Sequence, residues 1–150
     1  MFRSIRLRAL FDAPDAFCST YEEESRLSEP DWIARLTAPE TAQFVAVDLD
    51  DNVVGLVVGA PYRGYEQTMG LFGMWVAPEA RRKDLGRKLI ASVIEWAREQ
   101  NCIRVVLDVA NENQAAIALY HTCGFQPTGR SGTLPSPREH ITEHELELML

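Results

Sequence analysis

Between Trp75 and Leu89 the chain passes from the apolar stretch Trp75-Val76-Ala77, through Pro78, into the basic loop Arg81-Arg82-Lys83-Asp84, and from there directly into an amphipathic pattern opening at Leu85-Gly86. This order predicts a strand, a tight turn and a helix whose first turn is ringed by positive charge. Backbone N–H groups at a helix start have no intrahelical partner, and the macrodipole places partial positive charge there. Such an end is a ready anion site. Arg81, Arg82, Lys83, Arg87 and Lys88 add five positive charges in a chain whose net charge is −7. A basic cluster that concentrated, in an otherwise acidic protein, points to one specific polyanionic ligand.

The pattern around this run alternates helices with hairpins. Phe2, Ile5, Ala9 and Leu10 stand at helical spacing, and Asp12-Ala13-Pro14-Asp15 breaks the helix. Ser19–Leu27 is acidic and reads as a solvated face, and a short helix with Pro30 near its first turn carries Trp32 to Leu36. Residues 44–47 and 53–58 form a hairpin about Asp50-Asp51-Asn52, and 69–76 form a third strand interrupted by Gly70 and Gly73. Glycines inside a strand mark a bulge or a close backbone approach. Leu85, Leu89, Ile90, Val93, Ile94 and Ala97 make a helical stripe, and 103–109 is apolar enough for a buried central strand. A helix over 113–122 ends at Gly124, Phe125 begins a strand, and Leu146, Leu148 and Leu150 alternate in the last one. The expected fold class is α/β, a mixed and mostly antiparallel sheet flanked by helices, in a single domain of 150 residues.

Two signatures in this order resemble the GNAT superfamily of acyl-CoA-dependent N-acyltransferases. Arg81-Arg82-Lys83-Asp84-Leu85-Gly86 follows the family's Arg/Gln-x-x-Gly-x-Gly/Ala motif, with Asp84 in place of the first Gly. Downstream, Asn113 with Ala116-Ile117-Ala118-Leu119-Tyr120 and Gly124-Phe125 is similar to the family's second signature. The resemblance covers roughly residues 44–125. It implies that the phosphates of acetyl-CoA lie on Arg81 to Lys88, that backbone amides of Met74, Trp75 and Val76 hold the thioester and pantetheine, and that Asn113 bonds the pantetheine arm. It also implies that Tyr120 protonates the departing thiolate. The family sheet normally opens with a strand before the first helix, whereas this sequence starts inside that helix; the expectation is either a homodimer that covers the exposed edge or a true N-terminus lying upstream.

For the residues themselves, plainer readings stand beside these. Trp75 and Val76 read as strand core in their side chains, Tyr120 as a helix residue packed beside Leu119, and Asn113 as an N-cap. The general base is open between Glu22, Glu23 and Glu24, of which Glu23 is taken as the representative, Asp108 at the end of the central strand, and a water relay. Asp84 adds bulk and negative charge beside a negative ligand, and its carboxylate is expected to cap the helix amides that phosphate needs.

The expected reaction is transfer of an acetyl group from acetyl-CoA to a primary amine of a small molecule or peptide, by direct attack in a ternary complex. The alternative is a catalytically degenerate acyl-CoA sensor or regulatory protein, for which Asp84 speaks. A generic nucleotide-phosphate protein is weaker, because the loop lacks the Gly-x-x-x-x-Gly-Lys-Ser/Thr arrangement. An isoelectric point near 5.0 argues against a nucleic-acid partner. No apolar run approaches the ~20 residues of a membrane span. Cys18, Cys102 and Cys123 have no metal-ligand spacing and read as free thiols of a cytoplasmic protein.

Overall fold

A computed structural model describes all residues from Met1 to Leu150. Five helices run over Phe2–Asp12 (α1), Tyr21–Ser25 (α2), Glu29–Thr37 (α3), Leu85–Glu99 (α4) and Gln114–Thr122 (α5). Six strands run over Ala42–Val47 (β1), Val53–Pro61 (β2), Thr68–Val76 (β3), Arg104–Ala110 (β4), Gln126–Thr133 (β5) and Thr142–Met149 (β6). Single 3-10 turns at Pro14–Ala16 and Pro78–Ala80 follow α1 and β3.

Local chemistry sets the helix starts. Thr20 accepts a hydrogen bond from the Glu23 amide at the head of α2, and Ser28 and Asp31 form a reciprocal capping box at α3. The β1–β2 turn is held by Asp48, whose Oδ1 accepts from the amides of Asp50 and Asn52, each at 2.9 Å.

The six strands form one sheet in the order β1-β2-β3-β4-β6-β5, with β1 at one edge. Every neighbouring pair is antiparallel except β3–β4. A parallel pair needs a crossover, and α4 supplies it. One face of the sheet packs on α4 and α5 through Leu89, Ile90, Val93, Val57, Leu107 and Phe125. Burial of each large side chain in this layer contributes about 1.5–3 kcal/mol. The other face carries α1, whose Ile5, Ala9 and Leu10 meet Val54, Leu56 and Trp75. The α4 stripe and the α1 face are therefore those the residue spacing predicts.

Two features of β3 create an opening in the sheet. Its parallel pairing to β4 stops at Gly70↔Val106, so the remaining residues of both strands diverge without a shared ladder. Against β2, Leu56 pairs with Trp75 and Val58 with Phe72, which sets Gly73 and Met74 together opposite Val57. This is a bulge, and it turns on Gly73 at φ +59°. The positive φ favours glycine, and an added Cβ there would sit 2.6 Å from Arg6 Nη1, so the guanidinium would have to shift to admit one.

Candidate active site

The first turn of α4 is built as an anion cradle. Arg82 and Asp84 both take left-handed backbone angles, φ +65° and +64°, and wind the loop tightly into Leu85. No side chain caps the helix. The expectation that the Asp84 carboxylate occupies these amides is corrected here. In the left-handed conformation its Oδ1 instead accepts from Arg87 Nε at 3.1 Å. Gly86 lets α4 approach α5, because a Cβ on it would lie 2.8 Å from Leu119 Cδ2.

From this cradle a cleft of about 890 Å³ runs along β3 towards the place where β3 and β4 part. That volume lies within the range of small-molecule sites. Its walls include Met74, Trp75 and Val76 from the strand beyond the bulge, Arg81, Arg82, Asp84, Leu85, Gly86 and Arg87 from the loop and helix, and Asn113, Ala116 and Leu119 from the start of α5. Lys83 and Lys88 are exposed and lie outside it, adding charge without forming wall. Arg81 is partly committed to the protein, since its Nε donates to the Val76 carbonyl at 3.0 Å and its Nη2 lies 3.4 Å from Asp12. The Trp75 indole is buried in the α1 layer of the core and donates to the same Asp12 carboxylate at 2.9 Å. Asn113 caps α5, its Oδ1 accepting from the Ala116 amide at 3.2 Å, while it also lines the cleft.

Tyr120 is 6% exposed and packs edge-on against Phe125, with ring centroids 5.7 Å apart. It stands behind the cleft wall rather than in it. Burial pushes its phenol well above the ordinary range, so the group keeps its proton.

The acidic run of α2 divides in an unexpected way. Glu22 pairs with Arg26 on the surface, and Glu23 is exposed, with only the Ser19 hydroxyl at 3.3 Å, away from the cleft. Glu24, expected on a solvated face with its neighbours, is 1% exposed. It accepts from Arg6 through both oxygens, at 3.0 and 2.8 Å, and from Arg35 at 2.9 Å. Burial opposes its ionisation, but Arg6, Ser19 and Arg35 overcome this and hold the carboxyl below its usual range. A carboxylate so tied is a brace between α1, α2 and α3.

A second polar group, of which only Asp108 was a candidate from the sequence, stands where β3 and β4 diverge. Asp108 lies two residues beyond the last β3–β4 pair, exposed where the strands diverge. Tyr62, just after β2, donates its hydroxyl to Asp108 Oδ2 at 2.9 Å. Desolvation raises the Asp108 pKa, the Tyr62 hydrogen bond opposes the rise, and the charge of Glu145 adds to it. No local motif announces this group, because its members come together only through the register of the sheet.

A family model for the acetyltransferase (GNAT) family matches residues 7–125. N-acetyltransferase 8 of Homo sapiens is 33% identical over 91 residues, which cover 59% of this chain and 40% of that protein. The chain spans about two fifths of the length of several curated relatives it matches. Among solved structures, the ribosomal-protein-alanine N-acetyltransferase of Brucella melitensis superposes with a TM-score of 0.78 over 99% of this chain and 94% of its own, at 23% identity. A Bacillus anthracis structure of a streptothricin-acetyltransferase candidate, in complex with acetyl coenzyme A, superposes with a TM-score of 0.68 at 22% identity, over 88% of this chain and 73% of its own. With the family model covering most of the chain and the fold shared over nearly all of it, the protein belongs to the acetyltransferase (GNAT) family.

Proposed function

We propose that this acetyltransferase moves the acetyl group of acetyl-CoA to a primary amine by direct attack in a ternary complex. The observation that carries the reading is the continuity of one cleft, from an uncapped, cationic helix start to a bulged strand beside an opening in the sheet. Pyrophosphate suits the first end, where the α4 amides and the Arg82 and Arg87 guanidiniums supply donors. The pantetheine arm suits the second, along the backbone of Met74 to Val76 and the Asn113 amide.

The chemistry then divides across the opening. The amine nitrogen attacks the thioester carbon, the C–S bond breaks, and the products are an amide and the CoA thiol. Asp108 is the acceptor of the proton that the amine releases, since its raised pKa brings a carboxylate closer to the range of an effective base. Neither Glu23 nor Asp108 lines the cleft itself; Asp108 is preferred because it stands on β4 where β3 and β4 diverge, whereas Glu23 lies on α2 with only the Ser19 hydroxyl beside its carboxylate, and Glu24 is bound by two arginines. Tyr120 supplies the proton that the thiolate takes up, its phenol remaining neutral at working pH. Its hydroxyl must reach the thiolate from behind Leu119 and Ala116. The test is a thiol-release assay with acetyl-CoA against amino acids, polyamines, aminoglycosides and peptide N-termini. Release that depends on one amine class is the expected result; CoA retention with no amine-dependent release would favour the sensor alternative.

A further inference from the structure

In the antiparallel ladder between β4 and β6, Asp108 stands directly opposite Glu145. Like charges directly opposed on a sheet destabilise it. Glu145 is 7% exposed, so solvent does little to screen it. Something must hold these two carboxylates together, and the only donor that reaches both is the Tyr62 hydroxyl, 2.9 Å from Asp108 Oδ2 and 3.3 Å from Glu145 Oε2. A phenol has one proton, and the shorter contact marks Asp108 as its acceptor. Glu145 is satisfied from its other oxygen, where Thr128 Oγ1 donates at 2.9 Å and the Tyr65 hydroxyl lies at 3.4 Å.

Tyr62 is itself fixed in place. Its amide donates to the Thr68 carbonyl at 3.0 Å, across the mouth of the β2–β3 hairpin. Its ring stacks with those of Tyr65 and Phe72, at centroid distances of 5.5 and 6.2 Å and interplanar angles of 20° and 4°. Tyr65 is in turn held by the guanidiniums of Arg104 and Arg130, at 4.2 and 5.1 Å from its ring centroid. A side chain held by two stacked rings and through its backbone delivers its hydroxyl to one place. That place is the open end of β4.

We propose that Tyr62 is a positioning residue for acetyl transfer: it orients the Asp108 carboxylate at the divergence of β3 and β4 and keeps it ionised against Glu145, ready to take the amine's proton. This rests on the reading of Asp108 as proton acceptor. Tyr62 touches no reacting atom and acts through Asp108. Without its hydroxyl, Asp108 faces the Glu145 charge across the ladder with no donor of its own, and its carboxyl retains its proton to higher pH. The other groups that face Asp108 are Glu143, also on β6, and Cys18, in the segment after the 3-10 turn that follows α1; Arg138 acts on both of these.

The test is a pair of variants of the full chain with opposite expected signs. Carboxyl-carbon NMR titration of the free protein, which needs no acceptor, reads the Asp108 midpoint in wild type, Tyr62→Phe and Glu145→Gln. Tyr62→Phe removes a donor and moves the midpoint up by on the order of one pH unit; Glu145→Gln removes a like charge and moves it down. The acid limb of kcat/KM for acetyl transfer, with spermidine and L-lysine amide as the amine probes, moves in the same two directions. Loss of folding alone would not produce shifts of opposite sign, and thermal midpoints of both variants check that each is folded. An Asp108 midpoint that stays where it is in Tyr62→Phe overturns the proposal. A midpoint that moves while the kcat/KM limb does not also overturns it, by separating Asp108 from proton removal. Wild type that transfers acetyl to neither probe nor to any amine of the wider screen fails the parent reading, and that failure is distinct because the midpoint shifts are still observed.

Discussion

Replacing Asp84 by Gly isolates the one position at which the phosphate loop departs from its family's motif. Three effects act together. Asp84 holds φ +64°, a conformation that costs a non-glycine residue roughly 1 kcal/mol and glycine almost nothing. Its ion pair with Arg87 is exposed on both sides, 62% and 52%, and such pairs contribute about 0–1 kcal/mol. Stability is therefore expected to change little, with strain relief offsetting the lost pair. Ligand affinity is expected to change more. At a charge separation of about 6 Å, carboxylate and phosphate repel by ~0.7 kcal/mol in a water-like dielectric and by ~3 kcal/mol at an effective value of 20. The exposure of Asp84 selects the lower part of that range. Release of Arg87 from its partner adds a second contribution of the same sign. Together they predict CoA binding tighter by about three- to tenfold, given that ~1.4 kcal/mol is a factor of ten. Calorimetric titration at low and high salt is the assay, and the gain should shrink as salt screens the charges. Equal affinity of the two proteins at low salt would refute the reasoning, and with it the view that Asp84 opposes the ligand.

Substitutions at two further positions separate catalysis from architecture. Tyr120→Phe should lower kcat by ~10²–10⁴ while leaving CoA affinity unchanged, the range for a positioned acid–base group, and a loss of only a few-fold in steady-state kinetics would remove Tyr120 from the acid role. Glu24→Ala should destabilise the fold by about 3 kcal/mol in urea denaturation, at the low end for breaking a buried pair because Arg35 is 43% exposed. Because the folded-state pKa of Glu24 is depressed, its stabilisation is fully present above the ordinary glutamate value of 4.5 and is lost as pH falls through the folded value. Glu24→Gln should flatten the acid side of the thermal-midpoint profile in that window, and an unaltered profile would show that the brace carries no net stability.

The parts of the site legible from residues alone are those whose chemistry is local. The cationic loop runs straight into its helix start, the Asn113 cap bonds an amide only three residues on, and the bulge was signalled by a glycine inside an apolar strand. What stayed hidden is what depends on register and long-range packing. Tyr62, Asp108 and Glu145 are separated by 46 and 83 residues along the hydrogen bonds that join them, and nothing near Tyr62 hints at a carboxylate partner. Glu24 sits in a run of three glutamates that predicts solvent for all of them, yet Arg6 and Arg35 arrive from other helices to make its burial tolerable. The strand β5 was visible only at its start, because Pro127, Gly129 and Gly132 and its almost wholly exposed side chains give it no apolar alternation. Asp84 was misjudged for a related reason: its side-chain direction follows from a left-handed backbone that only the folded loop imposes.

The central claim is that acetyl passes directly from acetyl-CoA to an amine bound at the same time. Isotope-labelled acetyl-CoA, incubated with the protein and the amine that the screen selects, tests this in one measurement when initial velocities are taken over a matrix of both substrate concentrations. The account predicts label on the amine in amounts equal to the thiol released, intersecting double-reciprocal lines, and no label held by the protein. Parallel lines with label trapped on the chain would contradict direct attack, and bound CoA with no label transferred would contradict the enzyme.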